Sequence, residues 1–163
     1  NAKYQGTIMI IYLAGPLFSE AERAWIFQLK TRIIELAARI GVEVDARWPW
    51  DFVPPDVLQA HGDKAGEVIF QACVSNLKAA DILIALLDGA QVDDGTAWEI
   101  GYFFRHRSDP GKPIIGVRTD IRNAGECASS LANAMIEHSC ARIVRSQDET
   151  ITILEKILSE KPE

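Results

Sequence analysis

The sequence predicts an α/β fold built on a doubly wound, five-stranded parallel sheet with helices on both faces. Short apolar runs rich in β-branched residues recur along the chain. Amphipathic helical patterns separate them. At 163 residues the chain has the length of one ordinary domain, so a single domain over 1–163 is expected. Strands alternating with helices run parallel and bury both sheet faces. Five such strands suggest a flavodoxin-like order, 2-1-3-4-5.

The elements follow in chain order. Residues 7–13, Thr-Ile-Met-Ile-Ile-Tyr-Leu, form the first strand, which Gly15-Pro16 ends. Ser19 with Glu22 three residues on is a capping box. The helix behind it places Ile26, Leu29, Ile33, Leu36, Ala37 and Ile40 on one face and stops at Gly41. Val42 to Asp45 is a short second strand. Arg47 to Gly66 holds Pro49, Pro54, Pro55 and Gly62, which predicts a long loop without regular structure. Loops of that length in compact domains are often functional. A helix resumes near Glu67 with Ile69, Cys73 and Leu77 inward. Asp81 to Leu87 is the clearest strand. A loop over Asp88–Gly95, a helix over Thr96–Arg105 and a strand over Pro113–Val117 come next. Ile121 to Ser130 is irregular, Leu131 to His138 helical, and Ala141 to Val144 the fifth strand. Ser146 with Glu149 caps a last helix that packs Ile151, Leu154, Ile157 and Leu158.

Composition narrows the function. There are 17 Lys+Arg against 23 Asp+Glu, a formal charge of −6, and no basic run, so a nucleic-acid partner is not expected. The longest apolar run, Ile82 to Leu87, is too short to span a bilayer. No charged-then-apolar leader opens the chain, so a cytoplasmic location is expected. Cys73, Cys127 and Cys140 are odd in number and lack CxxC spacing, which fits free thiols. His61, His106 and His138 pair with no second ligand at metal spacing, and no metal is expected. Neither GxGxxG nor GxxxxGK[ST] occurs, and no cofactor is expected.

In a sheet of this order ligands bind at the carboxyl ends of the strands beside the switch point, between strands one and three. The loops meeting there are Ala14–Ser19 and Asp88–Glu99. The second reads Asp88-Gly-Ala-Gln-Val-Asp93-Asp-Gly-Thr-Ala-Trp-Glu99. One account makes Asp93 or Asp94 the helix cap and puts Glu99 in the first turn, favoured by the dipole. The other turns Glu99 into the crevice with Asp93 beside it, two carboxylates dividing chemical labour.

Tyr12-Leu-Ala-Gly-Pro-Leu-Phe18 together with Asp93-Asp-Gly-Thr-Ala-Trp-Glu-Ile-Gly101 resembles the nucleoside 2-deoxyribosyltransferase family, over about Thr7 to Ile143. The resemblance implies that Glu99 attacks the anomeric carbon of a 2′-deoxynucleoside, giving a covalent deoxyribosyl-enzyme that a second free nucleobase opens. It implies that Tyr12 orients this nucleophile and that Asp93 binds the sugar 5′-hydroxyl. Gly15 and Gly95, the motif glycines, are expected to border the substrate. A related branch that hydrolyses 2′-deoxynucleoside 5′-monophosphates carries a serine at the position of Asp93, and a serine and an arginine at Pro16 and Phe18. A carboxylate repels a phosphate dianion, so the substrate implied here is a free nucleoside.

Phe18 either stacks on the base or packs in the core. Trp48, Trp50 and Asp51 fall where the family's base-binding loop lies, and either touch the base or pin the loop. Asn133-Ala134-Met135 resembles a segment that reaches into a neighbouring subunit's site, implying a homodimer or higher oligomer; a capped surface helix is the other reading. One departure stands out. Family members usually carry an Asp eight residues before the Asp that opens strand three, and that position is Cys73. A thiol is a poor proton carrier near neutrality, leaving Asn76 or Asp51 as substitutes. Two further functions fit the same residues: an N-glycoside hydrolase of 2′-deoxynucleosides or their 5′-monophosphates, and a non-catalytic nucleotide-sensing domain.

Overall fold

A computed structural model describes residues 8–107 and 111–159. The strands β1 (Met9–Ala14), β2 (Val44–Arg47), β3 (Ile82–Leu86), β4 (Ile114–Val117) and β5 (Arg142–Val144) form one sheet in the order β2-β1-β3-β4-β5. Every pairing is parallel, with Tyr12 opposite Arg47 on one side and Leu83 on the other. This is the expected doubly wound order, and its switch point lies between β1 and β3.

The helices are α1 (Glu20–Ile40), α2 (Pro49–Phe52), α3 (Pro55–His61), α4 (Ala65–Ala79), α5 (Asp94–His106), α6 (Ala134–Glu137) and α7 (Gln147–Ser159). None among the described residues is long and apolar enough to cross a membrane. The strand period of two sorts the core into two halves. Ile11, Leu13, Ile82, Ile84 and Leu86 pack with Ile26, Leu29 and Ile33 of α1 and Leu154 and Leu158 of α7. Tyr12, Ala14, Leu83 and Ala85 face the other way, with Leu77 of α4 and Ile100 and Phe103 of α5. Tyr12 therefore leaves β1 toward α4 and α5.

The capping box at Ser19 and Glu22 is complete, and Gly41 closes α1 at φ 72°. The second strand begins two residues later than expected. The Val42 amide finishes the helix by bonding the Ala37 carbonyl, and sheet pairing opens only where Met9 N–H reaches the Glu43 carbonyl. Thr7, expected in the first strand, lies outside the described residues.

The expected loop over 47–66 is largely helical instead. Pro49 and Pro55 each stand at the first position of a short helix, where the missing N–H costs nothing and the fixed φ suits the turn. Gly62–Lys64 adds a 3-10 turn before α4. On α4, Val74 and Leu77 are the buried positions, whereas Ile69 is exposed and Cys73 half-buried. The helix expected over 131–138 shrinks to α6, because Asn133 caps it only one residue before Ala134. At α7 the Ser146 hydroxyl accepts the Glu149 amide, but the Glu149 carboxylate takes the Arg145 N–H rather than that of Ser146.

Candidate functional site

The site assembles at the carboxyl ends of β1 and β3. β1 ends in Gly15, where a Cβ would lie 2.9 Å from Ile26 Cδ1 and 3.1 Å from Leu86 Cβ. Glycine thus lets the chain pass tightly between α1 and β3. β3 runs into the loop 87–93, which ends at Asp93, the N-cap of α5. Asp93 Oδ2 accepts the Thr96 amide at 2.8 Å and the Thr96 hydroxyl at 2.9 Å.

Glu99 lies six residues past that cap, beyond the first turn, so the dipole account does not apply to it. It is a buried carboxylate, 9% exposed. Tyr12, wholly enclosed, donates its hydroxyl to Glu99 Oε1 at 2.5 Å. Of the first reading, the helix cap at Asp93 stands and the first-turn place for Glu99 does not. Asp93 caps the helix, and its charge also bears on Glu99.

Burial pushes the Glu99 carboxyl from 4.5 up to about 7, Asp93 adds to the rise, and the Tyr12 hydrogen bond and the Cys73 thiol oppose it. Burial and the same carboxylate hold the Tyr12 phenol protonated far above its ordinary range. The Cys73 thiol is coupled electrostatically to both, and burial pushes it up to about 11. Near neutrality the cluster is therefore one titrating carboxylate among neutral donors.

Such a carboxylate weakens the fold when it ionises. Between pH 4.5 and 7 the folded protein holds a proton that the unfolded chain has lost, so stability falls as pH rises through that window. The full difference is about 3 kcal/mol. Glu99→Gln, neutral and of the same shape, is expected to raise unfolding stability by up to about 3 kcal/mol at pH 8 and to change it little at pH 4. Denaturant titrations at the two pH values check this.

A sequence model described as nucleoside 2-deoxyribosyltransferase matches residues 11–139. The chain belongs to that family. Both loops that build the cluster fall inside the match. A conserved protein from Enterococcus faecalis V583 is similar in structure at 27% identity, covering 92% of this chain and 99% of its own, with a TM-score of 0.71. The 2-deoxyribosyltransferase of Bacillus psychrosaccharolyticus shares the fold at 24% identity, covering 94% and 98%, with a TM-score of 0.63. No curated protein matches the chain.

The remaining positions with family counterparts divide. Gly95 lies against the Asp93 carboxylate, where an added Cβ would stand 3.2 Å from Oδ2. Phe18 is 75% exposed, so the core-packing alternative fails for it. Trp48 is buried and stacks on Trp50 at 6.2 Å, while the Arg23 guanidinium lies 4.7 Å over the Trp50 ring. Arg23 also donates to the Leu17 and Phe18 carbonyls, which ties the first loop to α2. The tryptophans do pin their loop. Asp51 is taken by Lys30 at 2.7 Å. Asn76 accepts from Arg47 and donates to the Ala72 carbonyl. Neither substitute for the missing aspartate hydrogen-bonds Glu99, whose partner is Tyr12.

Asn133 caps α6 through Oδ1 and donates to Glu126, and Met135 is 79% exposed. Asn133 and Ile136 also line a cavity of about 400 Å³ whose other wall is the loop at Gln91 and Val92.

Two residues beside the site escape sequence reasoning. Phe52 places its ring 6.4 Å from that of Tyr12. Arg118 is wholly buried behind the loop 87–93. The second has a signal, a charged residue directly after a buried strand. The first lies in the proline-rich segment, where no periodicity betrays a ring's direction. Among the described residues no group of three His, Cys, Asp or Glu could hold a metal.

Proposed function

We propose that this protein transfers 2-deoxyribose from a 2′-deoxynucleoside to a free nucleobase, as one domain that needs no cofactor. The observation that carries the reading is the enclosed Tyr12–Glu99 hydrogen bond beside the switch point, with Asp93 six residues before Glu99 at the start of the same helix. A binding module has no need of a buried carboxylate held at the edge of ionisation.

In the proposed reaction, ionised Glu99 attacks the anomeric carbon while the bond from that carbon to the base nitrogen breaks. The electron pair leaves with the base, which takes up one proton. The carboxylate faces the positive charge that spreads over the sugar in the transition state. A ring nitrogen of the second base then attacks the same carbon and gives up its proton to solvent, which balances the proton the first base took from it; the glutamyl ester bond breaks, and the sugar keeps its original configuration. Tyr12 fixes the carboxylate's orientation. Asp93 Oδ2 is taken up by Thr96, and Oδ1 makes no hydrogen bond to the described residues, which suits it to accept the 5′-hydroxyl. A carboxylate there disfavours a 5′-phosphate. Half-buried Cys73, its thiol pushed up to about 11, is a poor acid for the leaving base.

The bases are held between the first loop and the proline-rich segment, where exposed Phe18 offers a stacking face and Trp50 and Asp51 form the far edge. Gly15 and Gly95 border the sugar, the first by letting its loop pass close to β3 and the second by leaving the Asp93 carboxylate room. In a homodimer or larger assembly, exposed Met135 and Asn133 of one subunit reach the neighbouring subunit's site. The activity fits salvage of nucleobases in the cytoplasm.

A base-exchange assay tests the reading. With 2′-deoxyinosine and adenine the protein is expected to form 2′-deoxyadenosine and hypoxanthine in equal amounts, resolved by chromatography. Hypoxanthine and free deoxyribose without 2′-deoxyadenosine would show hydrolysis instead. Binding without turnover of this donor, a pyrimidine deoxynucleoside or their 5′-monophosphates would leave a sensing domain.

A further inference from the structure

Arg118 follows β4 directly and is 0% exposed, yet among the described residues no carboxylate lies within ion-pair distance of its guanidinium. A permanently charged group kept in such a place must be spending its donors on something. They go to backbone carbonyls. One terminal nitrogen donates to the Leu87 carbonyl, the other to the Gly89 carbonyl at 3.1 Å, and the latter together with Nε reaches the Arg122 carbonyl at 3.2 and 3.3 Å. The same two loops are stitched from their outer side. Asp88 accepts the Thr119 and Asp120 amides at 2.6 and 2.9 Å and the Thr119 hydroxyl. Asp120 accepts the Gly89 amide at 3.2 Å. Gly89 sits at φ 117°, where any side chain is strained and a Cβ would lie 2.8 Å from the Gln91 carbonyl.

The loop 87–93 thus has two anchors, this clamp at its start and the Asp93 cap at its end. Glu99 is held differently, by the packing of Ile100 and Phe103 and by the Tyr12 hydroxyl. We propose that Arg118 is a positioning residue: by holding the Leu87 and Gly89 carbonyls it aims the Asp93 carboxylate at the donor's 5′-hydroxyl, without bearing on the attack by Glu99. This rests on the roles proposed above for Glu99 and Asp93.

The test compares kcat/KM for a 2′-deoxynucleoside and its 2′,5′-dideoxy counterpart in base exchange, using the wild type, Arg118→Lys and Asp88→Ala. The ratio of the two is independent of how much enzyme is folded. In the wild type it is expected to favour the 5′-hydroxyl by about tenfold or more, the worth of one charge-assisted hydrogen bond. In both variants it is expected to fall to about twofold, while exchange of the 5′-deoxy donor persists. Asp88 is only half-buried and lies outside the core, so Asp88→Ala carries the test even if Arg118→Lys does not fold. A ratio unchanged from wild type in either folded variant overturns the positioning role. A wild-type ratio near one overturns the role of Asp93 and this inference with it, while exchange of neither donor overturns the function itself.

Discussion

Replacing Glu99 with Ala is expected to lower base exchange by at least about a thousandfold, because it removes the nucleophile and the charge facing the sugar together. The protein should fold, since the change takes an ionisable group out of a buried position, although the Tyr12 hydroxyl loses its acceptor. A second readout separates a covalent role from an electrostatic one. Acid-quenched wild type mixed with 2′-deoxyinosine alone is expected to carry the added mass of one deoxyribosyl group, on the peptide containing Glu99. The Ala variant should carry none. Undiminished exchange by Glu99→Ala would end the catalytic reading. Exchange without any adduct would leave Glu99 an electrostatic role, and an adduct on another peptide would move the nucleophile elsewhere.

Tyr12→Phe is expected to act through the same carboxylate, and its signature is a pH shift. Glu99 attacks only when ionised, and burial holds it near 7. The wild-type rate should therefore rise about tenfold per pH unit below 7 and level off above it. The phenol donates to the carboxylate and holds that value down, so the hydroxyl's loss moves the midpoint upward. The plateau should also drop, by about tenfold or more, as the carboxylate loses the contact that orients it. Rate measurements from pH 5 to 9 check both effects. A midpoint that stays in place, or moves down, would mean that the 2.5 Å contact does not govern Glu99.

The sheet was legible because its signal is local. Ile82 to Leu86 reads as a buried strand from composition alone, and the loops at 14–19 and 88–99 follow from strand order. The capping box at Ser19 and the stop at Gly41 are equally local, each written in a few side chains. The stretch from Trp48 to Lys64 was misread for a related reason. Proline excludes a helix interior but favours a helix start, and the residue type does not say which end is present.

Faces were harder. In β1 every residue from Ile11 to Ala14 is buried, so alternation between core and solvent, the usual guide to direction, is absent. That Tyr12 leaves the sheet toward α4 and α5, to meet Glu99, is set by which helices cover which side. The same packing gives Cys73 its place against both groups, and brings Phe52 beside the Tyr12 ring.

By itself, then, the amino-acid sequence determined the parallel sheet, its order, the family and the two loops that meet at the switch point. Those rest on periodicity, short motifs and the handedness of the crossovers, which neighbouring residues decide among themselves. Only the tertiary structure decided that Glu99 is buried with its carboxyl pushed up, that Asp51 and Asn76 are committed elsewhere, and that Arg118 braces the loop carrying Asp93. Desolvation and charge coupling depend on groups that are distant in the chain and adjacent in space, as Tyr12 is to Glu99 across 87 positions.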